Sequence, residues 1–337
     1  MAVLADLARA AGISTSTVSR ALAGNPVVSS ATRERVQALA REHNVQLNQA
    51  ARNLRLKRTQ AIAVVLPLGH EVGQHLSDPF FLIMLGQLAD ALTERGYDLL
   101  LSRVIPTDRD WLARLVDSRR VDGVIVIGQS DQADILDEVA ARFPALVVWG
   151  ALMNGQVHCS VGSDNRVGGG LAAAHLLALG HRRLAFFGPA SLPEIEERRL
   201  GAVNQVAQVA GATLASASVA LAADAAFDTI VEYLGYHPLP DAIVCASDTV
   251  AMMAIRALAE RGLRVPEDVS VTGFDDVPLA AHTTPPLTTI RQDVTRGAAM
   301  IVELLMRKLA GEAVNAVVLP PTLVVRGSSQ TRERRPD

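Results

Sequence analysis

From Ala61 onward the chain repeats one pattern, a short apolar run followed by a stretch with apolar residues at helical spacing. AIAVVLP (61–67), YDLLLSRV (97–104), GVIVIG (123–128) and ALVVWG (145–150) read as strands. Between them Phe80–Arg95, Arg109–Asp117 and Asp131–Ala141 read as amphipathic helices. The pattern resumes after residue 161 with a Gly168–Leu179 helix, RLAFFG (183–188), a Glu196–Ala210 helix, AIVCAS (242–247), a Thr249–Arg261 helix and VSVTGF (269–274). Strands that are apolar throughout are buried on both faces, so each set predicts a parallel, doubly wound sheet, and two sets predict two subdomains. Ligands in such sheets bind beyond the carboxyl ends of the strands. The residues that follow the strands are where function is to be sought.

The first sixty residues are of another kind. The whole chain of 337 residues has a net charge of −3, from 32 basic and 35 acidic residues. Residues 1–60 hold nine Lys/Arg against Asp6, Glu34 and Glu42, which leaves the remainder with a net −9. A small basic module on a large acidic body is expected. Leu4, Leu7, Ala8 and Ala11 share one face of a first helix that Gly12 stops. Ser14 caps a second helix, Thr15 to Ala23, and Ser29 or Ser30 caps a third with Val36, Leu39 and Ala40 inward and Arg33, Arg35 and Arg41 outward. Two short helices joined by a tight glycine turn are a helix-turn-helix. The start of its second helix enters the major groove. Here that stretch is Thr15, Ser16 and Thr17, with Ser19 and Arg20 a turn later. Serine and threonine reach base edges or phosphates, and the arginine fork matches guanine. A plain three-helix bundle with a solvated polar face fits the periodicity as well; the basic balance favours DNA.

LADLARAAGISTSTVSRALAGNPVVSSATRERVQALA (4–40) resembles the headpiece of the lactose-repressor (LacI/GalR) family of bacterial transcription regulators. The resemblance continues through NQAARNLRLKRTQAIAVVLP (48–67), DNRVGGGLAAAHLLALGHRR (164–183), CASDTVAMMAIRALAERGLRVPEDVSVTGFDD (245–276) and PPLTTIRQD (285–293). It implies an N-terminal all-α helix-turn-helix headpiece (1–47) and a hinge (48–59). Beyond them it implies an α/β periplasmic-binding-protein-like core of two doubly wound parallel-sheet subdomains, 60–160 plus 291–320 and 161–290 plus 321–337. Three departures stand out. Val3 occupies the usual threonine N-cap, which is consistent with an upstream start codon. Val45-Gln46-Leu47-Asn48 replaces Tyr-x-Pro-Asn. Thr15 and Ser16 are short where relatives carry longer side chains, so base readout there is expected to be weak or water-mediated.

Residues 48–57 are polar and basic with a small apolar set, too short for a stable isolated helix. The resemblance makes Leu54 a wedge inserted in the minor groove and Asn48 and Arg52 groove or phosphate contacts. From position alone, Leu54 fits a packing residue equally well. In the core, the post-strand residues include Leu68-Gly69-His70 through Asp78-Pro79-Phe80-Phe81, Gln129, Trp149, Ser247-Asp248 and Phe274-Asp275-Asp276, an apolar platform with amides, hydroxyls and carboxylates. Sugar sites use that combination. By resemblance Phe80, Phe81, Gln129, Trp149, Arg198, Ser247 and Asp275 are effector contacts; Arg199 is one residue from the same register, and Trp149 also fits core packing at a strand end. The resemblance also implies an aromatic within Leu221–Ala226, where relatives often offer one; its absence here favours a small or oligomeric sugar without a second stacking face over a purine.

Catalytic readings find little support. G-x-S-x-G, C-x-x-C and the phosphate-loop motif are absent, and Gly168-Gly169-Gly170 reads as the start of a helix behind Asp164-Asn165. His70-Glu71 with His75 misses the H-E-x-x-H metal spacing by one residue. Asp275-Asp276 diverge as neighbours in a loop, so hydroxyl binding by Asp275 is the simpler role. Cys159 and Cys245 sit in apolar runs and read as buried thiols. The longest apolar stretch, Phe143–Met153, is too short to span a bilayer. The N-terminus lacks a signal-peptide layout, which argues for a cytoplasmic protein. The expectation is a non-enzymatic repressor without cofactor, bound as a homodimer to palindromic double-stranded DNA and controlled by a mono- or disaccharide. A transport-system sugar-binding protein, or a regulator answering to a nucleobase, is the alternative. Phe81, Met84, Leu85, Leu88 and Leu92 form a candidate dimer stripe or, equally, pack on their own sheet. The tail RGSSQTRERRPD has no heptads for a tetramerising coil.

Overall fold

The computed structural model describes residues 2–22, 25–43, 59–68 and 73–332, in two units, Met1–Thr59 and Gln60–Asp337. In the first unit α1 (Ala2–Ala11), α2 (Thr15–Leu22) and α3 (Ser30–Glu42) close on Leu7, Ala8, Ala11, Val18, Ala21, Val28, Val36 and Ala40, all buried. Gly12 takes φ +62° in the turn, a conformation glycine adopts without a Cβ clash. Ser14 Oγ accepts from Thr17 N (3.2 Å), and Ser29 Oγ accepts from Thr32 N (3.3 Å). Arg33 is not simply outward. It is half-buried and donates to the carbonyls of Asn25 (3.3 Å) and Val28 (3.1 Å), while Arg35 donates to Ala11 O (3.0 Å). These arginines satisfy carbonyls left over at turns and a helix end.

In the second unit the first sheet comprises β1 (Ala61–Pro67), β2 (Asp98–Val104), β3 (Gly123–Ile127), β4 (Leu146–Trp149), β5 (Cys159–Ser163) and β11 (Val317–Leu319). Its order is β11-β5-β4-β3-β1-β2, parallel throughout. The second holds β6 (Arg183–Phe187), β7 (Thr213–Ala217), β8 (Ala242–Cys245), β9 (Ser270–Asp275), β10 (Thr288–Arg291) and β12 (Thr322–Val324). Its order is β12-β10-β9-β8-β6-β7, with only β12 antiparallel. The helices between are α4 (Pro79–Glu94), α5 (Trp111–Asp117), α6 (Ala133–Arg142), α7 (Asn165–Ala178), α8 (Pro193–Val206), α9 (Ala223–Tyr236), α10 (Asp248–Glu260) and α11 (Val294–Leu309).

The expected break after residue 160 falls inside β5, which pairs in the first sheet, so the chain crosses only after Ser163. Arg291 likewise ends β10 in the second sheet. The return crossing is made by α11, whose Ala298, Ile301, Val302 and Leu305 join Ile62, Val64 and Ile125 in the first sheet's core. The stripe Phe81, Met84, Leu88 and Leu92 of α4 is buried in the same core, with Leu85 packed against it, so it covers its own sheet, and Leu82 is the large apolar residue of α4 that is exposed. Helix α7 starts at Asn165 and not Gly168, because Asp164 caps it by accepting from Val167 N (2.9 Å). Helix α8 starts at Pro193, a residue tolerated in a first turn, with Glu194 and Glu196 complementing the helix dipole.

Candidate functional site

The carboxyl ends of β1, β3, β4, β8, β9 and β10 converge on a cleft of about 730 Å³, its open mouth included. Of the seven residues expected there, six line it: Phe80, Phe81, Trp149, Arg198, Ser247 and Asp275. Phe80 is the hub of the aromatic wall, 5.9 Å from Phe81 and 6.3 Å from Trp149 between ring centroids. Trp149 also packs in the first sheet's core, and a Cβ on Gly297 would sit 2.3 Å from its ring. The tryptophan thus lines the cleft and packs in the core at once.

Gln129 does not line the cleft. Its neighbours Gly128 and Ser130 both take left-handed φ, +84° and +51°, and stay at the wall. The side chain between them is fully buried, with its amide nitrogen 3.1 Å from His158 Nε2. His158 Nδ1 in turn lies 2.6 Å from Asp137 Oδ1. Gln129 touches the opposite wall only through its backbone N–H, which donates to Glu194 Oε1 at 3.3 Å.

Arg198 is buried and held on several sides. Its Nε donates to Asn165 Oδ1 (2.8 Å), Nη1 donates to Ala246 O (2.5 Å), and its guanidinium lies 3.6 Å above the Phe274 ring centre. Arg199 points elsewhere, paired with Glu196 at 2.6 Å. Asp275 accepts from Gln292 Nε2 (2.7 Å) and lies 3.9 Å from Arg198 Nη1. Burial pushes its carboxyl up to about 7, against the pull of Arg198; Asp78, across the cleft, pushes the same way as burial. Asp276 turns away to Arg291 (2.7 Å) and Arg326 (2.6 Å), so the two neighbours diverge. Ser247 caps α10, accepting from Val250 N at 3.2 Å.

Asp78, on the segment after β1 that the sequence marks, lines the cleft too, and Gln74, Ser130, Glu194 and Gln292 line it without having been singled out from sequence. Gln292 follows β10, a strand too short and threonine-rich to stand out, and Glu194 was hidden by the late start assigned to α8. Asp248, beside Ser247, is no wall residue. It is fully buried, accepts from Thr289 Oγ1 (2.5 Å) and Val277 N (2.8 Å), and burial holds its carboxyl well above the usual range.

On α2, Thr15, Ser16 and Arg20 are exposed and Thr17 and Ser19 half-buried; the Thr17 hydroxyl lies 2.8 Å from that of Ser14. Asn48, Arg52 and Leu54 lie outside the described residues, as do His70 and Glu71. Among the described residues no cluster of three metal-ligating side chains occurs, both cysteines are buried free thiols, and no helix is long and apolar enough to cross a membrane.

The profile of "Bacterial regulatory proteins, lacI family" matches residues 3–48, and that of "Periplasmic binding protein-like domain" matches 173–329. The HTH-type transcriptional regulator reg1 of Streptomyces lividans is 33% identical over 97% of this chain and 96% of its own. Repressors named PurR, from Photobacterium profundum and Haemophilus influenzae, stand among the relatives at 26–29% identity. The structure of a transcriptional regulator CelR–cellobiose complex superposes with a TM-score of 0.69 at 30% identity, covering 96% of this chain and 99% of that one. The Lac repressor dimer bound to operator and the anti-inducer ONPF gives 0.82 at 28% identity, covering 96% and 98%.

Proposed function

The chain belongs to the lacI family of DNA-binding transcriptional regulators, and from that premise we propose that it is a homodimeric repressor whose operator affinity is set by a mono- or disaccharide in the core cleft. Its relatives are regulators and not enzymes. One observation carries the sugar reading. Aromatic faces from Phe80 and Trp149 stand opposite the hydroxyl-accepting groups of Asp275 and Gln292 in one cleft, the combination that stacks a pyranose ring and holds its hydroxyls. The cellobiose bound by CelR supports the same reading.

A single helix-turn-helix reads few bases, so two copies on a palindromic operator are needed, in keeping with the dimeric form of the Lac repressor on its operator. Thr15, Ser16, Thr17, Ser19 and Arg20 are assigned to the major groove, Leu54 to the minor groove as a wedge, and Asn48 and Arg52 to groove or phosphate contacts of the hinge. The cleft is walled by both sheets, so an effector that prefers one relative angle of the two biases the whole core toward it. That preference must differ between the DNA-competent and the released state, by about 1–3 kcal/mol of coupling. Release by sugar is the direction assigned.

An anisotropy titration onto DNA from upstream of the protein's own gene, with and without a panel of sugars, tests this. Tight binding abolished by one sugar is the expected result. Binding abolished by hypoxanthine and by no sugar would replace the sugar reading with a nucleobase one.

A further inference from the structure

Resting on that reading, we infer that the cleft accepts its effector as an uncharged saccharide and rejects the phosphorylated form of the same sugar. Among the described residues that line the cleft, the ionisable side chains are Asp78, Glu194, Asp275 and Arg198. Three are acids, and they come from both walls: Asp78 from the first sheet's side, Glu194 and Asp275 from the second's. With a proton on Asp275, the other two still outnumber the one guanidinium. That guanidinium is committed to Asn165, to Ala246 and to the face of Phe274, with Asp275 beside it. Those contacts hold it in place at the wall, one guanidinium against the acids that face it. Arg103, which donates to the Gln74 carbonyl (3.4 Å), does not itself line the cleft.

Phosphate sites in α/β folds are built at helix N-termini, where free N–H groups and the helix dipole meet the anion. Two of the helices that begin at this cleft carry an acid of its lining at their N-terminus. Asp78 caps α4, accepting from Phe80 N at 2.9 Å. Glu194 stands in the first turn of α8. At α4 and α8 the dipole that would attract a phosphoryl group is thus answered from within. Hydroxyl groups meet no such obstacle, because carboxylate oxygens accept from them.

The effector is accordingly a sugar that has not met a kinase. A reaction moving the terminal phosphoryl of a nucleoside triphosphate onto a sugar hydroxyl, with release of the diphosphate and a proton, would end the signal. Uptake without phosphorylation, or hydrolysis of a glycoside, would supply it.

The test uses the full chain at neutral pH, with calorimetry and thermal shift on matched pairs: glucose and glucose 6-phosphate, ribose and ribose 5-phosphate, cellobiose and its 6-phosphate. Hypoxanthine and inorganic phosphate complete the set. The expected result is that a neutral sugar binds and its phosphate binds at least about 30-fold more weakly. Millimolar inorganic phosphate should raise Tm no more than chloride of equal ionic strength. A phosphate ester that binds as tightly as its sugar overturns the inference and leaves the sugar reading standing. Inorganic phosphate stabilisation that disappears in Arg198→Lys also overturns it. Hypoxanthine binding without any sugar binding overturns both. Glu194→Gln keeps shape and removes charge, so it should narrow the gap between sugar and phosphate by about tenfold; an unchanged gap would show that the exclusion is not electrostatic, against the inference.

Discussion

Asp275 and Asp276 are neighbours with opposite surroundings. Both take left-handed φ, +117° and +56°, a conformation that costs a non-glycine residue and persists only where surroundings enforce it. Arg291 and Arg326 hold Asp276 from behind, which leaves Asp275 aimed into the cleft beside Gln292 and Arg198. Its carboxyl is raised to about 7 by burial, whereas in an unfolded chain it would titrate near 3.9. A raised folded-state value means that the folded form keeps the proton longer. The stability it confers is complete below the unfolded value and lost as pH rises through about 7. Between pH 6 and 8 this group alone should lower unfolding free energy by roughly 1 kcal/mol. Thermal melts across that range should show a decline that Asp275→Asn flattens; Asp248 shares the sign and remains in the variant. Asp275→Ala should abolish the effector response while leaving operator affinity intact. A variant that still responds to effector would remove Asp275 from the site.

At the scale of elements, α7 and α8 lie closer than ordinary side chains allow. A Cβ on Gly169 would stand 1.9 Å from the Arg198 carbonyl oxygen, and one on Gly201 1.9 Å from that of Arg166. Backbone cannot yield as a flexible side chain does, so the glycines set the helix separation and, through it, the position of Arg198 at the cleft. Gly170 differs, since its Cβ would meet Gly201 O at 3.5 Å and Gln205 Cγ at 3.6 Å, ordinary contacts. Gly169→Ala is expected to destabilise by about 1–3 kcal/mol and to weaken effector binding. Gly170→Ala should be neutral or stabilising by up to about 1 kcal/mol, from helix propensity. Denaturant melts of the two variants check the contrast; equal effects would mean that the glycines do not act through this contact.

At the scale of the molecule, the chain passes between the two sheets after β5, again before α11, and a last time between β11 and β12. Several strands linking two bodies restrict their motion to a limited change of angle, the kind of transition a ligand in the cleft can bias. The proposed route from cleft to operator runs through the hinge, and Leu54 tests it. Leu54→Ala should leave the fold and sugar binding intact and weaken specific operator binding, read by anisotropy against a scrambled duplex. Unchanged operator affinity would rule out the minor-groove wedge.

Periodicity and capping chemistry determined a great deal by themselves. The three helices of the first unit, the two strand–helix sets and the helix behind Asp164 follow from apolar spacing and local hydrogen-bond chemistry, which act over a few residues and so are visible in a linear text. The edge strand β2 was legible as YDLLLSRV, but β7, TLASA, is largely exposed and has little apolar signal. Five of the six expected cleft residues lie at strand ends or on segments that follow them, which mark the binding edge of any parallel sheet, and Arg198, within α8, was named only through the family resemblance. What tertiary structure alone decided is direction and company. Only the fold could show that Gln129 turns inward to His158, that Arg198 and not Arg199 reaches the cleft, that the stripe on α4 covers its own sheet, and that Asp78 faces Asp275 across the gap. Those facts depend on which backbone lies opposite, and residues far apart in sequence are brought together only by packing.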